Sequence, residues 1–450
     1  MVALLIVHAV AALFAHSLVG RLGARAFWVL SLPPAATFVW ALTQTSAAMG
    51  GTPPTEHYPW APTIGMELSF RLDPLSWLLT LVVGGIGFLV LAYCAAYFAD
   101  DEPGLGRFAA CLVAFAGAML GLVTSDDALV LYLFWEVTTI LSYLLIGHRP
   151  ESRASRAAAT QALVVTTFGG LAMLVGIVLL GEQAGTYRIS QMLPATPLDT
   201  SVTAVGAALL LLGAISKSAL VPFHFWLPGA MAAPTPVSAY LHAAAMVKAG
   251  IYLVARLAPA FADVPGWRLI VLVLGGLTMV IGAYRSLRQH DLKLLLAYGT
   301  VSQLGFLVIL VGTGTADAAL AGVTMLLAHA LYKACLFLVV GAIDHATGTR
   351  DLRKLSGLRR SMPGLATASV VAALSMAGLP PMLGFVGKEA AYDAFVGTGT
   401  DHGPWVLATL VAGSMLTFAY SMRFLIGAFT DIRGAEDTPV HPPGPVLSGV

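Results

Sequence analysis

Apolar residues in this chain come in long unbroken blocks, not in the alternating or 3.6-residue patterns of a water-soluble domain. A helix needs about 20 apolar residues to cross a hydrocarbon core of about 30 Å. Blocks of about that length recur roughly thirteen times, at residues 2–19, 26–46, 74–98, 107–124, 127–147, 156–181, 202–226, 236–260, 268–286, 293–313, 318–344, 363–396 and 404–428. The pattern predicts an all-α polytopic membrane protein.

Two of these blocks are too long and too interrupted for simple helices. One reads Lys217-Ser-Ala-Leu-Val-Pro222 and continues Phe-His-Phe-Trp-Leu-Pro228; the other reads Gly378-Leu-Pro380-Pro381-Met-Leu-Gly384-Phe-Val-Gly387-Lys388. Proline and glycine free backbone groups that hydrocarbon cannot satisfy, so such breaks belong where protein or water reaches them. Each break falls in the fourth span of a five-span group, spans 4–8 and 9–13. Five is odd, so consecutive groups insert with opposite orientation, as in inverted-repeat transporters whose broken helices mark the ion sites. The expected segmentation is three N-terminal helices over 1–98, a first repeat over 107–262, a second over 266–430, and a polar, proline-rich tail over 431–450.

The connections set the orientation. With the N-terminus outside, fifteen Lys and Arg, from Arg21 and Arg25 through Lys293 to Arg433, fall on the cytoplasmic side. Four (Arg71, Arg188, Arg256 and Arg268) fall outside, the asymmetry that positive charge imposes on insertion. The longest connection, 47–73, is polar and holds Pro53, Pro54, Pro59 and Pro62, and reads as a loop. Asp126 and Asp127 read as solvated helix-entry residues, like Asp100, Asp101 and Glu102. The first block lacks a basic n-region and a small-residue cleavage site, so it reads as a retained helix and not a signal peptide.

Composition agrees: of 450 residues 58% are hydrophobic and 10% charged, against about 25% charged in a soluble domain. The net charge of +1 carries little information, because the charges are sorted by position. Cys94, Cys111 and Cys335 sit in separate apolar runs without disulfide or metal spacing and read as small hydrophobes. No phosphate loop, dinucleotide fingerprint, haem pair, nucleophile elbow or zinc spacing is present. The sequence therefore predicts no cofactor, no ATP hydrolysis and no nucleic-acid partner; the partners it points to are the lipid bilayer and a transported ion.

Against this background five ionisable residues stand inside apolar blocks: Glu136, Lys217, Lys248, Lys333 and Lys388. A charge at mid-bilayer costs about 2.5–3.5 kcal/mol on insertion scales, so packing alone does not explain them. Glu136 lies mid-span with Tyr132, Thr139 and Tyr143 on its helical face at i−4, i+3 and i+7. Lys217, between Ser216 and Ser218, is its natural partner. His329 and Lys333, spaced i,i+4, share one face of their helix, and histidine titrates near neutral pH. Lys248 comes next after Lys217 along the chain; His242, six residues before it, shares its face only if Pro234 and Pro236 distort the helix start. Lys388 ends the row. Glu389 lines an exit or simply faces a neighbour, and His224, inside the first break, is a further candidate for the path. His8 and His16 have no ionisable company, and Gly275-Gly276 reads as close helix packing. A row of buried acid and bases suits proton or cation movement; a passive scaffold would leave the lysines unexplained.

Four motifs carry a resemblance: Phe134-Trp-Glu136, Lys217-Ser-Ala-Leu-Val-Pro-Phe-His224-Phe-Trp-Leu-Pro228, His329-Ala-Leu-Tyr-Lys333-Ala and Gly384-Phe-Val-Gly-Lys388-Glu389. Over residues 70–430 the chain resembles the antiporter-like membrane subunits shared by respiratory complex I and the Mrp cation/proton antiporters. Lys248 in Met246-Val-Lys248-Ala-Gly-Ile-Tyr, with Ile343-Asp344-His345-Ala-Thr-Gly-Thr-Arg-Asp351, makes it most similar to the A-type subunits of the Mrp antiporters. The resemblance implies a coupling pair Glu136–Lys217, an axis continued by Lys248, His329 and Lys333, and an end at Lys388. It implies exchange of Na⁺ or another monovalent cation for H⁺, small membrane subunits as partners, and a bacterial-type plasma membrane. It leaves the metal-ion site unknown. It also implies further helices after the position where this chain stops. The alternative it allows is a proton-pumping membrane subunit of an NADH:quinone oxidoreductase.

Overall fold

The computed structural model describes residues 1–61, 63, 65–197, 200–396, 403–431 and 438–440. Most of the expected tail, with Arg433, lies outside these. Among the described residues the chain is all-α apart from one small hairpin. Among the described residues, ten helical runs are long and apolar enough to cross a membrane, and Ser201–Lys217 and Pro363–Ala377 are shorter apolar helices.

The first run, Val2–Thr43, spans 42 residues. It turns back on itself at Gly23, whose φ of 59° suits glycine; here the Asp100 carboxylate accepts from Ala24 N at 2.7 Å. The two legs pack separately, Val2–Leu22 on Leu105–Thr124 and Leu32–Thr43 on Pro74–Tyr97. From there the helices pack in sequence order. Ala128–Ile146 lies on Leu105–Thr124, Arg153–Ala184 on Ala128–Ile146, and Ser201–Lys217 on Arg153–Ala184. In the second half Trp267–Leu287 packs on Leu292–Gly312, which packs on Ala316–Thr347. The last of these meets both Pro363–Ala377 and Leu383–Asp393, and Gly403–Phe429 covers Pro363–Ala377. Thr235–Phe261, Leu292–Gly312, Ala316–Thr347 and Leu105–Thr124 are the most deeply buried of these runs.

Small residues bring these helices together, as membrane helices require without a hydrophobic driving force between them. A Cβ on Gly305 would lie 2.4 Å from Gly275 O, and one on Gly275 would lie 3.0 Å from Gly305 O. The Gly275 contact expected from the sequence is therefore backbone against backbone.

Both interrupted blocks break. Ser201–Lys217 ends at the lysine, and the chain runs through Phe223–Phe225 before short helical turns at Trp226–Gly229 and Ala230–Ala232. Pro363–Ala377 ends at Gly378, with φ +82°, and Leu383–Asp393 resumes. A third irregularity follows Pro234 and Pro236: Ser238–Ala244 is π-helical and Ala245 leaves helical geometry, so the distortion that the prolines allowed is present.

Two expectations need correction. The loop over 47–73 contains an antiparallel hairpin, Thr55–Ala61 with Met66–Arg71, paired from Thr55↔Arg71 to Ala61↔Met66. Pro59 masked it in the sequence; the register shifts beside that residue, where a missing N–H is tolerated. Asp126 and Asp127 are not solvated. They are 5% and 1% exposed, because the hairpin covers them and they satisfy backbone donors there. Asp127 caps its helix by accepting from Leu129 N and Val130 N at 2.8 and 3.0 Å, and also accepts from Glu67 N. Asp126 accepts from Ser190 N and Ser190 Oγ at 3.0 and 2.7 Å. At the opposite end of the molecule, Glu102 pairs with Arg149 at 3.0 Å and Arg350 with Asp291 at 3.2 Å.

Candidate functional site

Lys217 is fully buried at the last residue of its helix, where unsatisfied carbonyls and the helix dipole both favour a cation. Its ammonium crosses to the Glu136 helix. It donates to Trp135 O at 2.6 Å, Thr138 Oγ1 at 2.7 Å and Thr139 Oγ1 at 2.9 Å, and lies 4.6 Å from the Trp135 ring centroid. Three acceptors satisfy the three ammonium donors. Lys217 thus engages the residues flanking Glu136 and forms no ion pair with its carboxylate within 4 Å among the described residues.

Glu136 is half-buried, and its Oε1 is buried without a hydrogen-bond partner. It occupies a notch in the next helix, Arg153–Ala184, cut by the glycine pair Gly169-Gly170. A Cβ on Gly170 would stand 2.0 Å from Glu136 Oε1, and one on Gly169 would stand 1.7 Å from Ser216 Oγ. Sequence reasoning missed these glycines; their signal was two adjacent helix-weakening residues inside an otherwise uniform span.

The second group is central. Lys248 Nζ is in direct hydrogen-bond contact with His329 Nδ1, and both side chains are fully buried. Lys333, one turn on from His329, donates to Leu296 O at 3.1 Å and lies 5.7 Å from the Tyr420 ring centroid. Around it runs a buried polar network that the sequence did not reveal. Tyr332 donates to Gln303 Oε1 at 3.2 Å, Gln303 Nε2 donates to Thr417 Oγ1 at 3.0 Å, and the Tyr420 hydroxyl donates to Gly299 O at 3.4 Å. His329 Nε2 and Ser302 Oγ make no hydrogen bond among the described residues.

Between the two groups the helices of Lys217 and Lys248 touch directly. Ser218 Oγ donates to Val247 O at 2.7 Å, and a Cβ on Gly250 would stand 2.3 Å from Ala214 O. His242 lies on the π-helical turn, fully buried, its ring 6.0 Å from that of Trp226 and neither nitrogen hydrogen-bonded. Such a turn often marks a functional position.

Lys293 departs from the sequence expectation. Counted with the cytoplasmic loop charges, it is 1% exposed and donates to Met231 O at 3.1 Å and Ala233 O at 2.5 Å, carbonyls released by the first break. Its position in the first turn after Asp291 made it look like a surface charge; the packing of the broken segment over that turn buries it.

Lys388 lies in the helix that resumes after the second break. Its ammonium donates to Ala377 O at 2.9 Å and Met376 O at 3.2 Å, the last carbonyls before Gly378. Among the described residues no hydrogen bond joins it to the Lys333 group, although their two helices pack on one another. His224 is partly exposed, with Nδ1 unbonded, and Glu389 is exposed on the molecular surface. Of the nine residues singled out, the structure brings Glu136 together with Lys217, and Lys248 with His329 and Lys333. It leaves His242, Lys388, His224 and Glu389 outside both groups. Among the described residues no three His, Cys, Asp or Glu side chains converge to hold a metal ion.

The chain matches a family model described as NADH:quinone oxidoreductase/Mrp antiporter, TM, over residues 125–417. A second, described as NADH-Ubiquinone oxidoreductase (complex I), chain 5 N-terminus, matches over 60–109. It is 40% identical to the A1 subunit of a Na(+)/H(+) antiporter of Staphylococcus aureus over 435 residues, which is 92% of this chain and 54% of that protein. Its fold is similar to a chain of the Mrp complex from Dietzia sp. DQ12-45-1b, with a TM-score of 0.90 and 42% identity over 95% of this chain and 47% of that one. A chain of respiratory complex I from Thermus thermophilus gives a TM-score of 0.84 at 25% identity, with 99% and 93% covered. The chain therefore spans about half the length of the antiporter subunits it matches.

Proposed function

Because the chain belongs to the NADH:quinone oxidoreductase/Mrp antiporter membrane family, we propose that it is the proton-conducting module of a monovalent-cation/proton antiporter. It exchanges cytoplasmic Na⁺ for external H⁺ as one subunit of a hetero-oligomer with other membrane subunits. It sits in a bacterial-type plasma membrane with its N-terminus outside, and its two broken segments belong to inverted five-helix repeats.

The observation that carries this reading is the fully buried contact of Lys248 with His329, one turn from Lys333. An ammonium and an imidazole in contact hold one proton between two bases. A second proton arriving there places like charges together out of water, which is unfavourable, so the excess moves to the next base on the face. Lys217 is the entry counterpart: its three acceptors hold the ammonium, while the Glu136 carboxylate beside it has an oxygen free to bind a proton. Charge on one member alters proton affinity at the other, and the interacting bases titrate as a set. Lys388 at the second break ends the row.

The test is cation-dependent proton flux in vesicles carrying the assembled complex. Glu136→Ala and Lys217→Ala are each expected to abolish it, and undiminished flux in both refutes the reading. A proton-pumping subunit of an NADH:quinone oxidoreductase would use the same relay. Identity of 40–42% with the antiporter subunits against 25% with the complex I chain favours antiport, and copurification with flavin and iron–sulfur proteins would reverse that choice.

A further inference from the structure

Helix Met246–Phe261 carries Lys248, Tyr252 and Arg256 four residues apart, so the three side chains stand above one another on one face. Lys248 belongs to the central buried group and Tyr252 is fully buried. Arg256, 19% exposed, reaches the hairpin end of the molecule. There its guanidinium grips Asp73, which is 14% exposed and follows the hairpin directly. Arg256 Nη2 donates to Asp73 Oδ1 at 3.0 Å, to Ser76 Oγ at 2.8 Å and to the Tyr252 hydroxyl at 3.3 Å, and Nη1 donates to Asp73 Oδ2. Asp73 also caps Pro74–Tyr97 by accepting from Ser76 N at 3.0 Å. Among the described residues the titratable groups that Arg256 contacts are Asp73 and Tyr252. The elements packed on its other side present Leu131, Ile189, Met192 and Leu210.

We propose that Lys248, Tyr252 and Asp73 form an arm of the relay that leads from the buried centre to the hairpin face, with the Arg256–Asp73 ion pair as its gate. Eight residues of helix rise about 12 Å, most of the roughly 15 Å from the middle of a bilayer to the edge of its hydrocarbon core. A clamp between two helices would need only the ion pair. Here the same Nη2 also holds the Tyr252 hydroxyl, which keeps its own hydrogen to donate, and Tyr252 follows Lys248 by one helical turn. A proton leaving Lys248 Nζ crosses bridging water to the Tyr252 oxygen while the Tyr252 hydrogen passes to Ser76 Oγ, held beside it by the same Arg256 Nη2, and the Ser76 hydrogen passes to the Asp73 carboxylate. Tyrosine and serine end neutral, lysine ends as the amine and aspartate as the acid. A neutral Asp73 no longer balances Arg256, so the pair loosens; Asp73 gives its proton to water at the hairpin face and the pair re-forms.

The arm rests on the transport reading above, and the test separates the two. Assembled antiporter complexes carrying Tyr252→Phe, Asp73→Asn or Lys217→Ala are reconstituted in vesicles. Assembly is read on native gels, and cation-dependent proton flux is read against pH on the hairpin side. Asparagine caps a helix as well as aspartate, so both arm variants are expected to assemble. Tyr252→Phe is expected to cut flux per assembled complex by about tenfold or more, and Asp73→Asn to flatten the dependence on hairpin-side pH. Either effect missing in assembled complexes overturns the arm; should Asp73→Asn not assemble, the pH profile is read in Tyr252→Phe. Full flux in Lys217→Ala, matched by full flux in Glu136→Ala, would sink the transport reading instead, whereas lost flux in Lys217→Ala with full flux in Tyr252→Phe sinks the arm alone.

Discussion

Replacing Gly170 by alanine isolates the Glu136 notch. The added Cβ would stand 2.0 Å from Glu136 Oε1 and 3.1 Å from its Cδ, where ordinary contact begins at 3.4 Å. The obstructing atom is the far end of a flexible side chain, so the carboxylate swings away by more than about 1 Å at a rotamer cost of about 0.5–1.5 kcal/mol. Alanine returns about 0.8–1.0 kcal/mol of helix propensity in a helix interior. The two terms nearly cancel, and the thermal midpoint of the solubilised complex should stay within a few degrees of wild type. Transport should not survive: misplacing a reacting group by about 1 Å costs up to about 100-fold. Gly169→Ala is the contrast. Its Cβ would meet Ser216 Oγ at 1.7 Å, Ser216 Cβ at 2.5 Å and Leu212 O at 3.2 Å. These atoms cannot all rotate away, so overpacking of about 1–3 kcal/mol is expected as a visible loss of stability. The assay pairs a melting curve with cation-driven proton flux in vesicles for both variants. Wild-type flux in Gly170→Ala, or indistinguishable melting of the two, refutes the reasoning.

Two further outcomes follow from the ends of the molecule. His148, at the connection after the Glu136 helix, is 2% exposed, with its ring 4.9 Å from that of Phe108; burial holds its pKa below the usual histidine value, against the raising effect of Glu102. A histidine whose folded pKa is depressed binds fewer protons folded than unfolded. Its contribution is therefore complete above about pH 6.5 and is lost as pH falls below that, so melting curves should shift downward on acidification and His148→Gln should reduce the shift. Lys293→Met leaves Met231 O and Ala233 O without their donor and should cost about 1–3 kcal/mol, read as a lower midpoint; an unchanged midpoint would mean those carbonyls are satisfied otherwise.

The helical character, the approximate spans and the identity of most buried ionisable residues were legible in the sequence, because a bilayer forces backbone groups to be satisfied locally and makes every buried charge conspicuous. Proline and glycine likewise announced both breaks and the distortion near His242. What the sequence left open was geometry between distant segments. Nothing along the chain says that Lys217 seeks the carbonyl and hydroxyls beside Glu136 in place of its carboxylate, or that Gly170 clears the space that carboxylate fills. Nor does it say that Lys293, one turn into a span, lies under a broken segment, or that Asp127 lies under a hairpin disguised by Pro59. Local rules fix which residues enter the membrane, since each span meets the solvent on its own. Which of those residues meet depends on how separate helices pack, and that is a property of the tertiary fold.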